Sequence, residues 1–214
     1  MAHLRRLSRF CAGALLALGL AGALVLPLHA ADPLRVVLLV DSSTSMSAML
    51  TEFRSGIGTF IQELPDDVEV ALISTGGQLR IRVPPTSDRK KLLEGAARFA
   101  SDGGANSLLD TLLESDRRFL KPATDRRPLF VVITTDQPTL GEPSIYRYNE
   151  FVRDFVRRRG RAHAVVIRTG QMGLSSEIME NLTSNTDGLY TVMAVANSLS
   201  DRMKQIAVDI AAQQ

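Results

Sequence analysis

Continuous apolar runs alternate along the chain with segments whose apolar residues recur every three or four positions. The runs at residues 35–40, 128–135 and 162–168 are rich in Val, Ile and Leu, which is typical of strands buried on both faces. The helical spacing is clearest from Met46 to Leu64, and Pro65 ends it. Further helices are predicted at residues 88–100, 107–120, 148–159, 175–182 and 198–211, and a last strand at residues 189–193.

One pair of strands has a different connection. Gly76 and Gly77 form a tight-turn signal between residues 68–74 and residues 79–83, so these two segments are predicted to form a hairpin. The remaining strands alternate with helices, which predicts parallel pairing. We therefore expect an α/β fold with a doubly wound, mostly parallel six-stranded sheet, one antiparallel edge strand, and helices on both faces.

The N-terminal 30 residues have the layout of a secretory signal peptide. Arg5, Arg6 and Arg9 precede an uncharged run rich in Leu, Ala and Gly, and small residues follow Pro27. We predict residues 1–30 as a signal peptide cleaved after Ala30, with Ala31 as the alternative, and residues 31–214 as one domain. This prediction implies export to the periplasm or the medium, without stable membrane insertion after cleavage. An uncleaved N-terminal anchor is the alternative, although the apolar run is short for a membrane span.

Removing the leader changes which functions the composition allows. It takes away three arginines and no acid, leaving 22 basic and 23 acidic residues, so the positive net charge of the full chain does not indicate a nucleic-acid partner. The single Cys lies in the leader, and His163 is the one histidine that remains. Cys–His catalysis and zinc sites built from Cys or several His are therefore excluded. His163 lies within a predicted strand and is interpreted as a core or strand-end residue.

Polar residues follow the first and the fourth predicted strands directly. Asp41, Ser43 and Ser45 come after the first strand, and Asp136 ends the other strongly apolar strand. Parallel strands bring such ends to the same edge of a sheet, where ligands bind. Two carboxylates and two hydroxyls are hard oxygen ligands that suit Mg²⁺, with Ca²⁺ or Mn²⁺ as alternatives. The alternative interpretation is that the serines only cap the following helix.

These residues also carry a family resemblance. Asp41-Ser42-Ser43-Thr44-Ser45, the Gly103-Gly104 loop and Thr135-Asp136 resemble, in order and spacing, the von Willebrand factor type A (VWA) domain with its metal-ion-dependent adhesion site. The resemblance implies that Asp41, Ser43, Ser45 and Asp136 hold a divalent cation. Asn106 stands where the family has a threonine ligand and is expected to complete the site through its amide oxygen. Ser107 is the alternative if the loop register shifts by one residue.

The resemblance also implies a function. We expect an exported, non-enzymatic module that recognises a protein partner through its cation, with a partner acidic side chain replacing a bound water. A metal-free VWA-like assembly scaffold is the alternative. A metal-dependent hydrolase is a third hypothesis, but the sequence offers it no general base other than the ligands themselves.

Overall fold

The computed structural model describes residues 33–137, 144–170 and 173–213. The predicted signal peptide and residues 138–143 of the loop after Asp136 lie outside the described residues. The strands are β1 (Leu34–Val40), β2 (Glu69–Ser74), β3 (Arg80–Thr86), β4 (Arg127–Thr135), β5 (Arg161–Ile167) and β6 (Tyr190–Met193). The helices are α1 (Leu50–Glu63), α2 (Arg89–Ala97), α3 (Leu108–Ser115), α4 (Ile145–Arg157), α5 (Leu174–Asn185) and α6 (Leu199–Ala211).

The six strands form one sheet in the order β3-β2-β1-β4-β5-β6. Every neighbouring pair is parallel except β2 and β3, which pair antiparallel at one edge. The predicted fold class, including its antiparallel edge strand, is therefore confirmed. The parallel strands β1, β2, β4, β5 and β6 end at the same edge of the sheet, which we call the carboxyl edge.

Strand β1 shows why the sheet is covered on both faces. Val36, Leu38 and Val40 pack into a core with α1, α2 and α6, while Val37 and Leu39 pack on the opposite side with α3, α4 and α5. Successive side chains of a strand point to opposite faces, so a strand that is apolar at every position needs helices on both sides. The uninterrupted hydrophobic run is thus the direct cause of the three-layer architecture.

Some element boundaries differ from the sequence prediction. The helix expected to begin at Met46 starts instead as a 3₁₀ helix, Thr44–Met49, before α1. The helix predicted to end near Leu120 ends at Ser115 and continues as a π-helical turn, Asp116–Leu120. Strand β3 is longer than predicted and includes Pro84 and Pro85, which an edge strand tolerates because one side of its backbone has no strand partner.

None of the helices within the described ranges has the length and hydropathy of a membrane span.

Candidate metal centre

The pairing of β1 with β4 brings Asp41 beside the end of β4. Val40 is in register with Ile133, and the Asp41 backbone N–H donates to the Ile133 carbonyl over 2.8 Å. One oxygen of the Asp41 carboxylate accepts the Thr135 N–H over 3.1 Å, and Asp136 is the next residue. Both predicted carboxylates therefore lie at the carboxyl edge, as the parallel-sheet argument requires.

Asp41 accepts hydrogen bonds from several elements at once. Its Oδ1 accepts the Ser43 N–H over 2.8 Å, and its Oδ2 accepts the Thr135 hydroxyl over 2.5 Å. The Asn106 side-chain Nδ2 also donates to Oδ2, over a longer distance of 3.3 Å. With the Thr135 N–H this makes four donors around a side chain that is 1% exposed. Asp41 is therefore a structural junction of the site as well as a candidate ligand.

The two predicted serine ligands do not act as helix caps. Ser43 is the N-cap residue of the 3₁₀ helix, yet its side chain makes no capping hydrogen bond. The Ser43 and Ser45 hydroxyls lie 2.7 Å apart, and the Ser45 hydroxyl lies 3.0 Å from that of Thr135. The capping interpretation is thus not what the geometry shows. The hydroxyls converge on the Asp41–Thr135 junction, with Ser43 buried and Ser45 half-buried.

Asn106 also lies at this junction, but its amide nitrogen faces Asp41. Nδ2 donates to Asp41 and, over 2.8 Å, to the Thr134 hydroxyl. The amide oxygen, which the prediction assigned to the cation, accepts the Thr75 hydroxyl over 2.7 Å. Ser107, the alternative ligand, donates its hydroxyl to the Gly77 carbonyl over 3.0 Å and thus bonds to the hairpin turn. A hydroxyl can donate or accept, so both threonines are compatible with either orientation of the amide.

Asp136 is the residue whose environment fits a cation best. Its Oδ1 accepts both the N–H and the hydroxyl of Thr169, each over 2.7 Å. Its Oδ2 is buried and has no hydrogen-bond partner among the residues that the structure describes. A buried carboxylate oxygen without a partner is costly, and such oxygens usually pair or coordinate a metal. The described residues hold no group of three His, Cys, Asp or Glu side chains that could hold a metal ion, so a cation beside Asp41 and Asp136 would need neutral oxygens as further ligands.

Asp102 is a structural residue of this region that the sequence reasoning missed. Its Oδ2 accepts the hydroxyls of Ser42 and Ser74 over 2.7 and 2.8 Å, and an Arg82 N–H over 2.5 Å. Burial opposes its ionisation, but these hydrogen bonds and the charge of Arg82 outweigh burial and lower the pKa of Asp102. Asp102 thereby ties the Asp41–Ser45 segment to β2 and β3. The sequence offered one indication of this role. Asp102 is an acid next to Gly103-Gly104, and Arg80 and Arg82 alternate with apolar residues in β3.

His163 is placed away from the candidate site. It is fully buried in β5, in register with Val131, and four residues of strand separate it from the position opposite Thr135. At ~3.3 Å per residue this is about 13 Å along the strand. Its Nδ1 accepts the Leu189 N–H over 3.1 Å. Burial, helped by the nearby Arg161, lowers the pKa of His163 to about 4, so the ring is neutral at pH 7. This placement agrees with the interpretation of His163 as a core histidine.

The fold is an open, mostly parallel α/β sheet, with a cluster of carboxylates and hydroxyls directly after its first strand, at the edge where ligands bind in such sheets. Residues 36–138 match the family model of the von Willebrand factor type A domain, so this part of the chain is similar to that family. Domains of this type are commonly protein-interaction modules. No curated protein sequence matches this chain significantly.

Solved structures of similar proteins share this fold. A von Willebrand factor type A protein from Catenulispora acidiphila superimposes with a TM-score of 0.69 at 14% identity, over 82% of this chain and 42% of that one. The vWF domain of the type V pili tip protein Mfa5 from Porphyromonas gingivalis gives 0.68 at 11% identity, over 86% and 96%. Proximal thread matrix protein 1 from the mussel byssus, with a zinc-occupied MIDAS motif, gives 0.62 at 13% identity, over 83% and 46%. Identities this low establish the fold alone.

Proposed function

We propose that this protein is an exported, non-enzymatic binding module that recognises an acidic side chain of a protein partner through a divalent cation. The proposed cation is Mg²⁺, with Ca²⁺ or Mn²⁺ as alternatives. The cation ligands are Asp41, Ser43, Ser45, Asn106 and Asp136. The observation that carries the proposal is the buried Asp136 Oδ2, which has no partner among the described residues and lies at the same sheet edge as Asp41 and the two serine hydroxyls. The solved relative from the mussel byssus is described with zinc in its MIDAS motif, which supports a cation at this position of the fold.

Each ligand has a distinct role in the proposal. Asp41 is held rigidly by its four donors, so it offers the cation a preorganised carboxylate. Ser43 and Ser45 would supply neutral hydroxyl oxygens, and Asp136 would supply Oδ2 while Thr169 holds its Oδ1. When bound, the cation supplies residual positive charge and an exchangeable coordination position, which a carboxylate can fill.

In this proposal Asn106 is a ligand only if its side-chain amide is flipped, so that its oxygen and nitrogen exchange positions. In the reversed orientation Oδ1 lies beside Asp41 Oδ2, and Nδ2 lies beside the Thr75 hydroxyl. Two facing oxygens repel each other unless a cation lies between them. The orientation of the amide should therefore depend on whether the cation is bound. We therefore expect the observed orientation in cation-free protein and the reversed one in the cation complex.

A non-enzymatic role is supported by the composition of this sheet edge. The cluster of Asp, Ser, Thr and Asn side chains includes no nucleophile paired with a base, and His163 is buried about 13 Å away along the sheet. Export is supported by the leader pattern of residues 1–30. It is tested by determining the N-terminal residue of the protein recovered from the periplasm or the medium, which we expect to be Ala31.

The orientation of Asn106 favours the second candidate, a metal-free scaffold, because the amide then satisfies Asp41 without a cation. Thermal unfolding with Mg²⁺, Ca²⁺ or Mn²⁺ against a chelator separates the two. A cation that binds only the folded state adds ~2.7 kcal/mol at one hundred times its Kd. We expect the melting temperature to rise with millimolar cation in the wild type. An unchanged melting temperature supports the scaffold instead.

Matched serine variants assign the cation effect to this site. Ser45→Ala removes a candidate ligand whose hydroxyl, among the described residues, bonds only to other hydroxyls, so folding is expected to survive and the cation response to weaken. Ser47→Ala, in the same 3₁₀ helix, removes an exposed hydroxyl bonded to Ser101 and should leave the response unchanged. Capture of partner proteins with and without chelator then tests whether recognition needs the cation.

A further inference from the structure

A small apolar groove lies between α3, α4 and α5. Its volume is about 250 Å³. Helices α3 and α5 begin near the carboxyl edge, where Asn106 contacts Asp41 and Gly173 packs on Asp136. The groove is lined by Leu109, Ile145, Tyr148, Asn149, Leu174, Glu177, Ile178 and Asn181.

Two segments that line the groove also adjoin residues of the candidate metal centre. Leu109 lies three residues beyond Asn106, in the first turn of α3. Gly173, the N-cap residue of α5, packs so closely on Asp136 that a Cβ there would lie 2.3 Å from the Asp136 carbonyl oxygen. The Ser175 hydroxyl donates to the Gln137 carbonyl over 3.4 Å. Leu174, between these two contacts, therefore joins the groove wall to the segment that carries Asp136.

The residues that line the groove differ in exposure and in hydrogen bonding. Tyr148 is almost fully buried, and its hydroxyl lies 3.0 Å from both the Ile178 carbonyl and the Asn181 Oδ1. Ile145, at the rim, is 64% exposed. A single exposed aliphatic side chain needs no explanation, but one on the rim of a preformed apolar cavity has a surface to share with a ligand.

Size and charge restrict the occupant. Pockets for drug-sized ligands have volumes of ~300–1,000 Å³, so a groove of this volume accepts one side chain rather than a cofactor. Glu177 is the one charged residue among the lining residues, so the groove disfavours an anion. An acidic side chain of the partner would therefore bind the cation, and an uncharged apolar side chain of the same partner would bind in the groove.

We infer that the groove is a second subsite for the same partner, which takes a leucine-sized side chain a few residues from the acidic residue that binds the cation. This inference rests on the proposed function, because the cation fixes the acidic residue. The recognised element is an extended segment with one acidic and one aliphatic residue. Burying a leucine side chain contributes ~1.5–3 kcal/mol, so the aliphatic residue should tighten binding by about tenfold or more.

The test uses capped synthetic peptides with one glutamate and one leucine separated by zero to three glycines, each matched by a peptide with serine in place of leucine. Binding to the protein is measured by titration calorimetry and by methyl chemical shifts, in Mg²⁺ and in chelator. We expect at least one leucine peptide to bind about tenfold tighter than its serine match in Mg²⁺. It should also shift the methyl signals of Leu109, Leu174 and Ile178.

Two exposed positions on α4 provide the matched variants. Ile145→Ser should remove the advantage of leucine while leaving the Mg²⁺ response of the melting temperature intact. Val156→Ser alters a side chain that is 45% exposed on the same helix outside the groove, and it should keep that advantage.

The outcomes separate the two proposals. If Mg²⁺ raises the melting temperature but leucine gives no advantage at any spacing, the groove inference is wrong and the cation site stands. A leucine advantage that survives Ile145→Ser also overturns the inference, because the leucine then binds elsewhere. If Mg²⁺ changes neither the melting temperature nor the affinity of any peptide, the proposed function fails, and the inference fails with it.

Discussion

Asp136→Asn is the substitution that tests the metal centre most sharply. The variant keeps an oxygen at the Oδ1 position, where it can still accept the N–H and the hydroxyl of Thr169. The other position, Oδ2, has no partner among the described residues, so replacing it with an amide nitrogen breaks no hydrogen bond seen there. The substitution therefore removes a negative charge and little else.

Opposite effects on stability are expected with and without the cation. An unsatisfied buried polar group costs ~1–3 kcal/mol and a charged one more, so neutralising it should stabilise the cation-free protein by about 1 kcal/mol. For a domain of this size that corresponds to a rise of ~2–4 °C in melting temperature. In saturating Mg²⁺ the wild type gains ~2.7 kcal/mol at one hundred times Kd, whereas the variant gains little. The order of stability should thus reverse.

The assay is thermal or urea unfolding of both proteins in chelator and in millimolar Mg²⁺. Asp125→Asn is the control, since Asp125 has a side chain that is 78% exposed and the same charge is removed. Its stability should change little in either buffer. Two results would refute the reasoning: an equal Mg²⁺ response in Asp136→Asn and wild type, or a lower stability of the variant in chelator.

Three further predictions concern buried polar residues. Asp41→Ala leaves four hydrogen-bond donors without their acceptor, so we expect the free energy of unfolding, measured with urea in chelator, to fall by about 3 kcal/mol or more. An unchanged free energy of unfolding in chelator would contradict the structural role of Asp41. Asn106→Asp places a second carboxylate beside Asp41, so it should destabilise the cation-free protein and strengthen Mg²⁺ binding, measured by calorimetry. Weaker Mg²⁺ binding would refute the proposal that Asn106 lies beside the cation. His163 has a folded pKa of about 4 against 6.5 for the free side chain, so as pH falls from 6.5 to 4 the unfolded chain takes up a proton that the folded one refuses. Stability should fall by about 3 kcal/mol over this window, at ~1.36 kcal/mol per pKa unit. His163→Leu should lack this part of the pH dependence, and equal pH profiles for the two proteins would show that His163 is not buried and neutral.

The sequence was sufficient for the architecture because the relevant signals are local. Continuous apolar runs predict strands buried on both faces, and Gly76-Gly77 predicts the hairpin that makes β3 the antiparallel edge. The same logic placed Asp41 and Asp136 at one sheet edge. Parallel strands end together whatever their separation in sequence, so residues 95 positions apart could be associated without coordinates.

Local signals were less reliable at element ends. The π-helical turn after Ser115 and the 3₁₀ start of the first helix carry the same apolar spacing as an α-helix, so periodicity alone does not distinguish them. Strand β3 continues through two prolines because it is an edge strand, a condition that depends on the whole sheet.

Hydrogen-bond partners within the site were decided only by the tertiary structure. That Asn106 presents its nitrogen to Asp41, that Thr169 holds one oxygen of Asp136, and that Asp102 joins Ser42 to Arg82 all depend on register between distant segments. A residue type determines how many donors and acceptors a side chain has, but neighbours from other elements determine which of them are used. Sequence alone thus specified that the side chains of Asp41, Ser43, Ser45 and Asp136 reach the carboxyl edge, but not which way the Asn106 amide faces. The folded packing decided that one oxygen, on Asp136, is left without a partner among the described residues.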